Sequence, residues 1–250
     1  MTRLWQGLCA AALLWAQPVS ARDVSVFAAA SLKTALEEIA ADWRDETGHA
    51  ATLTFAASST IARQVDQGAP ADLVLLASAD WMDWLAARDL LRAGSRVALL
   101  GNTLVLIGSQ AAPPLDPAPG FPLAERLGDD FLAMALVSAV PVGIYGKAAL
   151  TNLGVWDTVA DHVAQTDNAR TALALVASGE APLGIVYASD AQAEPRVHVI
   201  GRFPAESHPT ITYPAALTVE ARPEAAAFLS FLQSPEAASV FRSHGFVVHD

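Results

Sequence analysis

The chain has 250 residues, 53% hydrophobic and 16% charged, enough apolar material for one large or two small packed domains and too much for a disordered polymer. Its net charge of −11 excludes nucleic acid as a natural partner. Any anion it holds must be met by local donors, not by the overall field. Residues 1–21 read as an export signal. Arg3 opens it, Leu4 to Trp15 is largely apolar, and Val19-Ser20-Ala21 has the small residues of a cleavage site, placing cleavage after Ala21. The apolar run is short for a membrane anchor. Cys9, the sole cysteine, falls in this segment, in Q-G-L-C-A, a poor place for lipoprotein processing. The mature chain is then expected to have no thiol or disulfide and to rely on packing.

From Arg22 onward, short apolar runs alternate with helical periods, the mark of α/β architecture with mostly parallel strands. V-S-V-F-A-A-A-S (24–31) reads as a buried strand running into a helix. Leu32, Ala35, Leu36, Ile39, Ala40 and Trp43 then recur on one helical face, with Lys33, Glu37, Glu38 and Asp42 on the other. Gly48 suits the left-handed end of that helix. Ala51 to Phe55 alternates as a second strand and meets a hydroxyl-rich junction, Ser58-Ser59-Thr60, before a helix over Ile61–Gln67. Leu73–Leu76 reads as a buried strand. Ser78-Ala79-Asp80 then opens a helix whose Trp81, Met82, Trp84 and Leu85 suit core and interface positions. Gly101-Asn102 breaks the chain before a strand over Thr103–Ile107, and the proline-rich stretch 113–122 is a loop.

Phe131 to Val140 reads as a strand ending in Pro141-Val142-Gly143, with a short helix over Ile144–Leu150. Trp156–Gln165 reads as helical. Asp167-Asn168 supplies an N-cap for Ala169–Ser178, closed by Gly179. Leu183–Tyr187 and Val197–Ile200 read as strands. Thr210–Val219 is extended, with Pro214 allowing only an edge or bent strand. Two helices, Pro223–Gln233 and Pro235–His244, each with proline in the first turn, close the chain.

Five of these junctions place small residues, hydroxyls or free backbone donors where a strand or loop meets a helix: Ser31, Ser58, Val142, Ala169 and Tyr187. In α/β sheets, ligands bind beyond the carboxyl ends of strands, where helix N-termini gather. Several such ends in one chain point to two lobes facing a cleft. The plain alternative for Ser31 is that it only caps its own helix. No nucleophile elbow, zinc-protease signature, P-loop or dinucleotide fingerprint occurs. His49, His162, His198, His208, His244 and His249 lack ligand spacing. A serine hydrolase using Ser31, with Lys33 nearby, or Ser58 lacks a credible base, because Lys33 belongs on the polar helix face.

F-A-A-A-S-L (27–32), F-A-A-S-S-T-I-A-R-Q (55–64), G-A-P-A-D-L (68–73), P-V-G-I-Y-G-K-A-A-L (141–150) and A-P-L-G-I-V-Y-A-S-D (181–190) together resemble the periplasmic molybdate-binding proteins of ABC importers. F-P-A-E-S-H (203–208) and G-F-V-V (245–248) extend the resemblance toward the C-terminus. It implies a two-lobed periplasmic-binding-protein fold of type II, α/β, each lobe a mostly parallel sheet flanked by helices, with two crossovers at the hinge. The expected lobes are 22–101 plus 214–250, and 102–213. It further implies no enzymatic activity and no cofactor. The ligand would be molybdate or tungstate, held by the Ser31 and Ser58 hydroxyls, the backbone donors of Val142 and Ala169, and the Tyr187 hydroxyl. Molybdenum enters only as that oxyanion. The implied partner is the membrane permease of an importer, and the binder itself is expected to be a monomer in the periplasm. Rivals are a binder of sulfate or another tetrahedral oxyanion, and the hydrolase. The chain departs from many relatives at Ala135–Ala139, where a G-D-P-type stretch is common.

The chemistry fits a dianion that only accepts hydrogen bonds. Burying it unpaired costs on the order of tens of kcal/mol. Hydrogen bonds to a charged group contribute roughly 1.5–3 kcal/mol each, and helix N-termini about 0.3–2 kcal/mol each. A net of about 8–12 kcal/mol is a micromolar to nanomolar site. A protonated phosphate would need an acceptor in the pocket. Sulfate must be discriminated by cavity size.

Overall fold

The computed structural model describes residues 23–109 and 113–248, so the export signal, Cys9 and His249 lie outside the described residues. The chain starts with β1 (Val24–Ala29), a 3-10 turn over Ala30–Leu32 and α1 (Lys33–Thr47). β2 (Ala51–Ala56), α2 (Ser58–Asp66), β3 (Leu73–Leu75), α3 (Ala79–Ala86) and β4 (Val97–Gly101) follow. Past Asn102 come β5 (Leu104–Gly108), α4 (Leu123–Leu127), β6 (Leu132–Ala135), α5 (Pro141–Asn152) and α6 (Trp156–Val159). A 3-10 turn over Ala160–His162 leads to β7 (Val163–Thr166), α7 (Ala169–Ser178), β8 (Leu183–Tyr187), α8 (Ala188–Gln192) and β9 (His198–Arg202). After the turn Ala205–Ser207, β10 (Thr212–Leu217), α9 (Pro223–Phe231), α10 (Pro235–Ser243) and β11 (Val247–Val248) close the chain. No described helix is long and apolar enough to cross a membrane.

The strands form two sheets, ordered β11-β4-β10-β3-β1-β2 and β7-β6-β8-β5-β9. The chain leaves the first sheet after Gly101 and rejoins it at Thr212. Each sheet is mixed rather than mostly parallel. β1 pairs in parallel with β2 and β3, and β6 with β7 and β8. These are strand–helix–strand units, in which a helix carries the chain back to the same end of the sheet. The strands on either side of the crossovers, β4 and β10 in the first sheet and β5 and β9 in the second, pair antiparallel. Pro214 does not confine β10 to an edge, since the strand lies between β3 and β4. It bends instead: the register shifts between Tyr213 and Pro214, where the missing N–H is absorbed.

The largest apolar cluster runs through both sheets, and a smaller cluster takes the opposite face of each. α1 joins the large cluster through fully buried Leu36, Ile39 and Trp43, the face its periodicity predicts. Trp43 packs on Phe228 of α9, ring centroids 4.7 Å apart. At about 25 cal/mol per Å² of buried apolar surface, such residues hold the sheet ends in place.

Two segments differ from the sequence reading. The strand expected over Phe131–Val140 stops at Ala135, and Val140 N–H bonds back to Leu136 O in a turn that aims the next helix. α5 then starts earlier than expected, at Pro141. Of the helix expected over Trp156–Gln165, only Trp156–Val159 is α-helical, and Val163–Thr166 is a strand beside β6. Parallel pairing outweighs the weak local helical pattern there. The short β4 and the five-residue α4 had no distinct signal.

Candidate functional site

The first sheet contributes two hydroxyls. Ser31 does not cap a helix: it sits inside the 3-10 turn, whose N-cap is Ala29, while the N-cap of α1 is Leu32. Its Oγ lies 2.9 Å from the Tyr213 hydroxyl, and both side chains are buried. Ser58 opens α2 behind Ala57, an N-cap with no oxygen to offer the first turn. Ser58 Oγ accepts the Ala77 N–H at 2.9 Å, so the serine proton stays available to donate.

The second sheet contributes two backbone N–H groups and one hydroxyl. α5 begins with Pro141, which has no N–H, behind Val140, which cannot cap. The first intrahelical bond runs from Ile144 N–H to Val140 O, leaving the Val142 N–H without a partner in its own helix. The helix start presses on the end of β6: a Cβ on Gly143 would lie 2.3 Å from Ala135 O. At α7 the cap Asn168 accepts from Arg170 N at 2.9 Å and Thr171 N at 3.1 Å, passing over the Ala169 N–H. Tyr187 ends β8 with its hydroxyl buried and unpartnered by the protein. Burial pushes that phenol well above its ordinary pKa, so it stays protonated and can donate.

These pieces meet. One cavity of about 20 Å³ between the sheets is lined by Ser31, Ser58, Val142, Ala169 and Tyr187 together. That is room for one compact solute, since a single water needs about 10–15 Å³. None of the side chains lining it is charged. The N-termini of α2, α5 and α7 converge on it, placing partial positive charge around the void.

The nearest arginine stands behind the wall. Arg170 Nη2 donates to Ser31 O at 3.3 Å and to Thr34 Oγ1 at 3.1 Å, joining α7 to the turn and helix after β1. Its Nε lies 2.9 Å from Oδ1 of fully buried Asp190. Burial pushes Asp190 up to about 6 despite the downward pull of Arg170. Trp81 Nε1 makes a second tie between the sheets, to Ala139 O at 3.1 Å. Sequence reading singled out neither Asp190 nor Tyr213. Both act through partners distant in the chain, and only the Y-A-S-D run hinted at the first. A hydrolase finds no support. Lys33 pairs with Glu37 on the surface, and the hydrogen-bond partners of the Ser31 and Ser58 hydroxyls are a tyrosine and a backbone N–H. Among the described residues no cluster could hold a metal ion.

Residues 24–247 match the family described as bacterial extracellular solute-binding protein. The chain is 41% identical over 261 residues to the molybdate-binding protein ModA of Escherichia coli, covering 99% of this chain and 100% of that one. It is 38% identical over 250 residues to the molybdate-binding protein ModA of Haemophilus influenzae, covering 98% of each. Among solved structures, the periplasmic molybdate-binding protein of Azotobacter vinelandii superposes with a TM-score of 0.81 at 24% identity, covering 91% of this chain and 100% of that one. At that identity the likeness speaks for the fold alone.

Proposed function

This chain belongs to the bacterial extracellular solute-binding proteins, the family that includes the molybdate-binding proteins, and we propose that it binds molybdate, and tungstate with it, outside the cytoplasm and delivers the anion to the permease of an ABC importer. It is a binding protein, not an enzyme. The ligands are the hydroxyls of Ser31, Ser58 and Tyr187 and the backbone N–H groups of Val142 and Ala169. The observation that carries the reading is the uncharged cavity into which these groups gather. Its groups are donors, and the unpartnered Tyr187 hydroxyl gains a partner when an oxyanion enters. The two sheets act as lobes, 102–211 turning against the rest of the described chain about the two crossovers; the return falls two residues before the expected boundary at 213/214, because Thr212 and Tyr213 already pair with β4. The chain works as a monomer once cleaved after Ala21.

Titration calorimetry of the mature chain with molybdate, tungstate, sulfate and phosphate tests this. Micromolar or tighter binding of molybdate and tungstate is expected, with sulfate weaker by at least about tenfold. Equal affinity for sulfate would overturn discrimination by cavity size. No heat with any of the four would overturn the function.

A further inference from the structure

Asn102 lies in the crossover between β4 and β5, and Tyr213 near the start of β10, where the chain comes back from the second sheet. Neither lines the cavity. Asn102 Oδ1 accepts the Thr103 N–H at 2.9 Å, which fixes its amide group the other way round, toward Ser189 Oγ at 2.9 Å and Tyr213 Oη at 3.2 Å. Tyr213 Oη therefore accepts from the amide and still has a proton of its own to place. The acceptor in reach is Ser31 Oγ, 2.9 Å away. Were the serine the donor instead, the phenol proton would have no partner and a serine lone pair would face the cavity. We infer that Tyr213 and Asn102 are positioning residues for the bound anion, acting through Ser31: the amide donates to the phenol, the phenol to the serine, and the serine proton is left for the solute.

The relay is rigid. The Tyr213 ring is held edge-on between Tyr187 and Phe246, with centroids 5.8 and 5.4 Å away. The bulge at Tyr213 and Pro214 sets the side chain's direction. Burial keeps the phenol protonated. A chain of hydrogen bonds polarises each member, so the last donor is stronger than an isolated serine. The relay also starts at both crossovers, so the strength of one ligand is tied to the place where the lobes join.

This inference rests on the molybdate reading above, and its test separates the two. Molybdate affinity is measured by calorimetry for the native chain, for Tyr213→Phe, and for that substitution combined with Ser31→Ala or with Ser58→Ala. Tyr213→Phe should weaken binding about tenfold. Added to Ser31→Ala it should cost less than about twofold, while added to Ser58→Ala it should again cost about tenfold. A merely structural role would give the same loss in both backgrounds, and that result, like native affinity in the single variant, overturns the relay. Asn102→Ala should show the same pattern with a smaller loss, and it carries the test should Tyr213→Phe fail to melt cooperatively. If the native chain takes up no molybdate, the functional reading fails and the relay with it.

Discussion

The wall built from the first sheet meets the cavity with side-chain hydroxyls, Ser31 and Ser58, whereas the wall from the second meets it with the N–H groups of Val142 and Ala169 and a single hydroxyl, that of Tyr187 at the end of β8. A hydroxyl rotates, so each serine needs a fixed neighbour to leave its proton pointing inward: Tyr213 for one, the Ala77 N–H for the other. A backbone donor has no such freedom. It is aimed by its helix, and the helix by what it packs against. The first wall is therefore open to side-chain substitution, and the second, Tyr187 apart, only to substitutions that move the main chain.

The hardest blow to the second wall is Gly143→Ala. Its Cβ would meet Ala135 O at 2.3 Å and Leu136 O at 2.6 Å, both main-chain atoms that cannot swing aside. α5 must lift off β6, carrying the Val142 N–H with it. Overpacking of this kind costs about 1–3 kcal/mol of stability, and molybdate affinity should fall at least about a hundredfold. Chemical denaturation and calorimetry read the two quantities. Lowered stability with native affinity would remove α5 from the site.

At the first wall, Ser58→Ala should cost both stability and binding. The Ala77 N–H loses its acceptor in a buried setting, worth about 1–3 kcal/mol, and the anion loses one charge-directed hydrogen bond, roughly ten- to a hundredfold in affinity. At the one side-chain donor of the second wall, Tyr187→Phe should split these effects. The hydroxyl has no protein partner, so its removal leaves stability level or higher while affinity drops about tenfold. A melting temperature that falls in step with affinity would mean the hydroxyl is structurally bound after all.

The five junction residues that line the cavity were legible from local patterns. A strand ends in small residues, a helix begins, and the residue between has either a hydroxyl or no capping side chain. Alanine at 57 and valine at 140 are poor N-caps, and that local defect leaves the first N–H groups of α2 and α5 without a capping side chain. Asn168 shows the opposite, a cap found from sequence that still skips the first N–H. What aims the serines was not legible. Ser31 and Tyr213 are 182 residues apart, and no periodicity connects them. The cap alternative for Ser31 could not be set aside from sequence, because a serine at a strand-to-helix junction looks the same whether it faces its own helix or a distant phenol. In the fold, β7 escaped for a related reason: Val163–Thr166 becomes a strand only because β6 lies beside it.

The finest distinction between the walls is drawn by Val142→Ala. The side chain is 1% exposed and belongs to the large apolar cluster, so losing two methyl groups costs about 1.5 kcal/mol of stability. The donor, however, is the main-chain N–H. Its position is set by the fixed φ of Pro141 before it and by the contact of Gly143 with β6 after it, and neither changes. Molybdate affinity should then stay within about twofold of native while the denaturation midpoint falls. Ser58→Ala, by contrast, loses both. If Val142→Ala weakens binding as much as Ser58→Ala does, the valine side chain shapes the cavity, and Val142 does not act through its main chain alone.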